Sequence, residues 1–149
     1  MLFRSEDYAA LPVALVIEGA ACDRVDAAGP TIMYNLASYL LIKNAHTYQT
    51  LLYRDVAAFE DFSPDFYLRH GAPVEQMRRS PEGVYHRRFT HALALLNPSG
   101  SRVATYDLGD AMHRNSQGQQ FTGAVAIPPV TGMILLSGAP GETSPLREP

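Results

Sequence analysis

The pattern of apolar and polar positions divides the chain in two. "PVALVIEGAA", residues 12 to 21, is a run of Val, Ile, Leu and Ala entered through a proline and closed by Gly19. Such continuity suits a strand buried on both faces, as in a parallel sheet. In "PTIMYNLASYLLIKN" the positions Ile32, Leu36, Tyr39 and Leu40 follow helical spacing, with Pro30 suited to a first turn and Lys43 and Asn44 to an end. "HTYQTLLY", residues 46 to 53, is rich in Thr, Tyr and Leu and reads as a second strand. Strand, helix and strand make a βαβ unit. Two strands do not make a stable sheet, so neighbouring strands are expected from elsewhere.

Beyond Tyr53 the texture changes. Aromatics mix with Pro64, Gly71, Pro73, Pro81 and Gly83, which predicts an irregular connection. From Val84 the pattern is all strand: "VYHRRFTHALALLN", "RVATYDL", "FTGAVAIP" and "GMILLS". Four short strands with turn signals between them predict an antiparallel sheet or sandwich. "NPSG", residues 97 to 100, carries the favoured residues of a type I turn and predicts a hairpin spanning residues 91 to 108. "NSQGQQ" reads as a polar loop, and Pro128-Pro129 belongs at or outside a sheet edge. The expected fold class is therefore α/β followed by all-β. The expected divisions are residues 1–62, the connection 63–83, the antiparallel part 84–137 and a flexible tail 138–149.

Composition narrows the function. The 149 residues are too few for a complete eight-stranded α/β barrel of about 250 residues. With 46% hydrophobic and 18% charged residues the chain can bury a core. A formal net charge of -3 gives no long-range attraction to phosphate backbones, so no nucleic-acid partner is expected. Cys22 is the single cysteine, which excludes an intrachain disulfide and leaves no pair from which to read a redox compartment. Glu6 and Asp7 precede the first short apolar run, unlike the basic start of an export signal, and the apolar stretches are too short to span a bilayer. No membrane partner is expected.

Glu18 ends the first apolar strand, where parallel α/β architectures carry their functional groups, so it is the candidate catalytic carboxylate. The blander alternative is a carboxylate that bonds backbone in the next turn. Asp23 and Asp26 follow in the loop, and a pair of carboxylates suits glycoside hydrolysis if they stand about 5 to 9 Å apart. His46 and Tyr48 alternate along the second strand and so face one side, where imidazole and phenol could orient a sugar; core packing is the alternative. With Asp23 they form the candidate substrate-binding set. His70, His86, His91 and His113 show no paired zinc spacing, so neither a metal nor a cofactor is expected. Arg78, Arg79, Arg87 and Arg88 form a basic concentration, but Arg87 and Arg88 alternate to opposite faces and Asp65, Glu75 and Glu82 offset the charge. Salt bridges between the two halves are the expected use of these arginines.

The order of parts also carries a resemblance. "MYNLASYLLIKNAHTYQTLLY", "FSPDFYLRHGAPVE", "GVYHRRFTHALALLNPSG" and "AIPPVTGMILL" together resemble the C-terminal portion of hypothetical glycosyl-hydrolase-like families built from a TIM barrel and a C-terminal β-sandwich. The shared features are Pro-x-Phe-x-x-x-x-Gly-x-Pro, an Arg-x-Phe strand, Asn-Pro-Ser and a closing strand after a Pro-rich step. The resemblance covers about residues 12 to 137 and concerns packing and turns more than chemistry. It implies a partial (β/α) barrel end over residues 1–62, an accessory sheet over 84–137, a carbohydrate substrate, and Glu18 as the one carboxylate at a matching place. It also implies that the remaining barrel strands come from the parent protein or a partner chain. The alternative is a non-catalytic carbohydrate-binding or structural β module, which exposed Tyr85, Tyr106 and Phe121 on one face would favour.

Overall fold

The computed structural model describes residues 15–20, 25–44, 47–52 and 68–137, with side chains described over 33–44 and 68–137. The expectations for residues 53–67 and for the tail 138–149 lie outside the described residues. Among the described residues the chain is mostly β-sheet with one helix.

β1 (Leu15–Ala20) and β2 (Thr47–Leu52) pair in parallel, from Leu15 opposite Thr47 to Ala20 opposite Leu52. Between them runs α1 (Val25–Ile42), so the βαβ unit forms as the pattern predicts. The helix nevertheless begins five residues before Pro30. That proline sits in the second turn, where its missing N–H leaves one intrahelical bond unmade. Tertiary burial outweighs the loss: Leu36, Ala37, Leu40 and Leu41 are all buried on the sheet below.

Eight strands follow: β3 (Arg78–Arg79), β4 (Tyr85–Arg88), β5 (Ala92–Asn97), β6 (Ala104–Asp107), β7 (His113–Arg114), β8 (Gln120–Phe121), β9 (Ala124–Ile127) and β10 (Thr131–Ser137). Six of them form an antiparallel sheet in the order β3-β4-β5-β10-β7-β8, while β6 and β9 pair separately. The six-stranded sheet is the middle layer. Along β5 the alternation sends Ala92, Ala94 and Leu96 to the helix, and Leu93 and Leu95 to β6 and β9. Ile134 and Leu136 of β10 take the helix side, and Leu135 the other. A strand buried on both faces explains why "ALALL" has no polar alternation although its sheet is antiparallel. Each fully buried leucine there stabilises the fold by about 1.5–3 kcal/mol.

Gly132 of β10 lets the helix come this close. A Cβ at that position would overlap the carbonyl oxygen of Met33 and lie 2.6 Å from the Cβ of Ala37. The absent side chain is thus the seat of α1.

Three details differ from the sequence expectation. "VYHRRFTHALALLN" is two strands, β4 and β5, reversed through Phe89–His91, with the Phe89 N–H donating to the Ala92 carbonyl at 2.7 Å. No Gly, Pro or Asn marks that reversal. The predicted hairpin over residues 91–108 does not form, because β5 pairs with β4 and β10 whereas β6 pairs with β9. "NPSG" instead carries the chain from one sheet to the other. The polar loop "NSQGQQ" is the turn of a small β7–β8 hairpin, closed by Asn115 and Gln119 through a backbone bond of 3.0 Å.

Candidate functional site

Backbone register defines what can be said of the predicted site. Glu18 lies opposite Thr50 and two residues short of the end of β1, and Tyr48 lies opposite Val16. In a parallel pair, opposed residues share a face and the face repeats every second position, so Glu18 and Tyr48 hold positions of the same parity. Their side chains lie outside the described residues, as do Asp23 and His46 altogether. Asp26 is not in a loop: it occupies the first turn of α1, where a carboxylate complements the partial positive charge of a helix N-terminus.

A crossover helix runs antiparallel to the strands it joins. The carboxyl ends of β1 and β2 therefore share one end of the unit with the start of α1, and Ile42 lies about 27 Å away along the helix. At that far end the second half of the chain grips the first. Arg87 is buried, and its Nη1 donates to the carbonyls of Leu40 at 3.3 Å, Leu41 at 3.1 Å and Lys43 at 2.8 Å. Its Nε donates to the Glu75 carbonyl at 2.9 Å. The last turn of α1 holds no basic residue, so the sheet supplies the cation that its terminal carbonyls favour. Burial pulls the Arg87 guanidinium below its ordinary pKa, and nearby Glu75 pushes it back up. Among the described residues the two halves are joined by a guanidinium on carbonyls, and the ion pairs formed there lie within the second half. No feature of the sequence announces Leu40, Leu41 and Lys43 as its partners.

Beside it, Lys43 Nζ stands 2.8 Å from His70 Nε2, and His70 Nδ1 stands 3.1 Å from the Leu68 carbonyl. Nδ1–H donating to Leu68 and Nε2 accepting from the ammonium is the tautomer that satisfies both contacts. The His70 ring meets Phe89 edge-on at 5.1 Å. Burial lowers the pKa of Lys43, and burial together with the adjacent ammonium lowers that of His70 against the raising effect of its backbone bond. This polar cluster fastens the helix end and is remote from Glu18.

Glu75 organises the basic concentration. Its carboxylate lies 3.7 Å from Arg78 Nε, 3.9 Å from Arg88 Nε and 3.8 Å from His86 Nδ1, and it accepts the Arg88 N–H at 3.2 Å. The Tyr106 hydroxyl also contacts His86 Nδ1, at 3.4 Å. Burial lowers the pKa of His86; Glu75 raises it, and Arg88 and Arg78 lower it further. Arg87 and Arg88 do face opposite ways, one buried and one exposed. Among the described residues no group of three His, Cys, Asp or Glu stands ready to hold a metal ion, and no helix is long and apolar enough to cross a membrane.

The sequence model of hypothetical glycosyl hydrolase family 15 matches residues 13–93, more than half of the 149. The chain belongs to that family. The match runs from β1 through β4 into the start of β5, so the "NPSG" crossing and the strands after it lie beyond it. Among solved structures, the beta-galactosidase from Bacillus circulans sp. alkalophilus is similar over 42% of this chain at 23% identity, with a TM-score of 0.31. The chain spans 10% of that enzyme, and the likeness is too slight to transfer its fold. No curated protein matches the chain.

Proposed function

We propose that this chain is the C-terminal part of a glycoside hydrolase acting on a poly- or oligosaccharide. In this reading β1, α1 and β2 are the last βαβ turn of a (β/α) barrel, and residues 84–137 are an accessory sheet. Glu18 is the catalytic carboxylate contributed by this part, and Asp23, His46 and Tyr48 line the substrate side. The observation that carries the reading is the parallel pairing of β1 with β2, which sets Glu18 near the carboxyl end of its strand in a chain of a glycosyl hydrolase family. Among the described residues β1 and β2 pair with no third strand, and in this reading the remaining strands come from the rest of the protein or from a partner chain. Complete catalysis belongs to that larger assembly.

The test is Glu18→Gln in the full-length protein. Turnover of a glycan substrate is expected to fall by about a hundredfold or more with little change in stability. Unchanged turnover removes Glu18 from the catalytic set.

The alternative of an aromatic binding platform finds no support in the sheet. Tyr106 is buried with its hydroxyl on His86, while Tyr85 and Phe121 are partly buried against the helix side and the β6/β9 side respectively. Three rings divided in this way do not offer a sugar one continuous face.

A further inference from the structure

The arginines of the basic concentration do not share one fate. Arg78 and Arg88 lie against Glu75, and Arg87 is spent on the helix carbonyls. Of these only Arg79 remains, and Arg102, from outside the concentration, comes to the same spot. They belong to different layers, Arg79 to the edge strand β3 and Arg102 to the crossing between β5 and β6, yet both reach the same glycine. A Cβ at Gly83 would lie 3.1 Å from Arg102 Nη2 and 3.5 Å from Arg79 Nη2. Because Gly83 has φ +92, an L side chain is disfavoured there, and the space stays open to the two guanidiniums.

Neutral groups aim both arginines. Arg102 Nη2 donates to the Glu82 carbonyl at 3.1 Å, and the Arg102 backbone is fixed by its N–H on Ser99 Oγ at 2.9 Å and its carbonyl under Asn97 Nδ2 at 2.7 Å. The Arg79 guanidinium lies over the Tyr85 ring, 5.5 Å from its centroid. Glu82 lends Arg102 its carbonyl and not its carboxylate. Among the described residues no carboxylate stands within ion-pair distance of either arginine. Two like charges held around one point without a counterion repel each other, and a shared oxyanion relieves that repulsion while accepting N–H bonds from both.

We propose that Arg79 and Arg102 form a binding site for the carboxylate of an acidic sugar unit, so that the accessory sheet selects glycans containing uronic acid. The proposal rests on the carbohydrate reading above and adds the charge class of the glycan. A nucleic acid is a poorer occupant, because the chain as a whole is negative and offers only these two uncompensated cations at the spot. Arginine pairs favour planar carboxylates through paired N–H donors, and the exposed rim position suits one unit of a long chain.

The experiment is calorimetric titration of the full chain with an oligogalacturonate and with the same oligomer after reduction of its carboxyls to alcohols. The acidic oligomer is expected to bind at least about tenfold more tightly, the equivalent of one charge-assisted hydrogen bond. Arg79→Ala and Arg102→Gln should each remove that preference, and the crossing keeps its backbone anchors, the residue-102 N–H on Ser99 Oγ and the residue-102 carbonyl under Asn97 Nδ2. Arg78→Ala, whose partner is Glu75, should leave it intact. Equal binding of the two oligomers, or a preference that survives both arginine substitutions, overturns the site. Equal affinity for free acetate would reduce it to a general anion contact, and tighter binding of a polyglutamate peptide would reassign it to a protein partner; both outcomes overturn the proposal. The carbohydrate reading is judged separately by turnover of neutral glycans in the full-length protein, which can persist when the uronate preference fails.

Discussion

Two tetrapeptides of nearly the same composition turn the chain in opposite senses. Ser80-Pro81-Glu82-Gly83 and Asn97-Pro98-Ser99-Gly100 both place a small polar residue first, proline second and glycine fourth, the preferences of a type I turn. The first closes a hairpin: the Gly83 N–H donates to the Ser80 carbonyl at 3.0 Å, the Ser80 N–H to the Val84 carbonyl at 2.8 Å, and β3 lies against β4. The second opens a crossing between sheets. Its first residue, Asn97, is 1% exposed, and its amide donates to the carbonyls of Arg102 at 2.7 Å, Ile127 at 2.9 Å and Pro128 at 3.0 Å, while its Oδ1 accepts the Ser99 N–H at 3.0 Å. Turn residues specify that a chain reverses. The arms pair where the first residue, Ser80, bonds Val84 across its own turn, and part where the first residue, Asn97, bonds the carbonyls of Arg102, Ile127 and Pro128.

The largest way to break this contrast is Asn97→Ala. It orphans three carbonyls, at least one of them buried, and is expected to cost about 3 kcal/mol, seen as a lowered urea midpoint. A loss below about 1 kcal/mol would mean that water replaces the amide and that the crossing does not depend on it. Next is Gly83→Ala, expected to cost about 1–2 kcal/mol because φ is +92 and the new methyl meets Arg102. Gly100→Ala supplies the opposite arm: it has no positive φ and open space around it, so its change in melting temperature should be negligible.

Acidification should sharpen the difference between the two turns. His86 lies opposite Arg78 in the hairpin, and burial holds its pKa below 6.5. The unfolded chain then takes up a proton that the folded hairpin resists. Stability from this group is present above pH 6.5 and is lost as pH falls from there through the folded value; His70 adds a loss of the same sign. His86→Gln should flatten the slope of stability against pH between 7 and 5, and an unchanged slope would assign it to His70. A smaller loss, above only that of Gly100→Ala, is expected from Ser80→Ala, which removes one hydroxyl contact with the Val84 N–H at 3.2 Å and should cost about 0.5–1 kcal/mol by chemical denaturation.

The legible parts of the fold are those whose cause is local. The run through Leu15–Ala20, the spacing of Leu36 and Leu40 and the alternation that separates Arg87 from Arg88 all depend on period alone, and the structure keeps them. The start of α1 was hidden because Pro30 imitates a first turn. The break at Thr90 carried no turn residue, and the crossing at Asn97 imitated a hairpin. Arg87 illustrates the limit on sites: its face followed from parity, but three of its four carbonyl partners lie 44 to 47 residues away in sequence. For Glu18 the sequence supplied the strand but ended it two residues early, since Gly19 and Ala20 still pair with β2, while the groups around its carboxylate depend on side chains beyond the described residues.

The position of β10 carries a consequence for how the protein is made. Residues 131–137 are the last described strand to leave a ribosome, yet in the sheet they lie between β5 and β7, and they bear the glycine on which α1 rests. Until they emerge, α1 lacks the strand that carries its seat, and β5 lacks one of its two sheet neighbours. The nascent chain therefore holds the apolar faces of α1 and β5 incompletely covered for that time, a period in which chaperones would find their binding sites exposed.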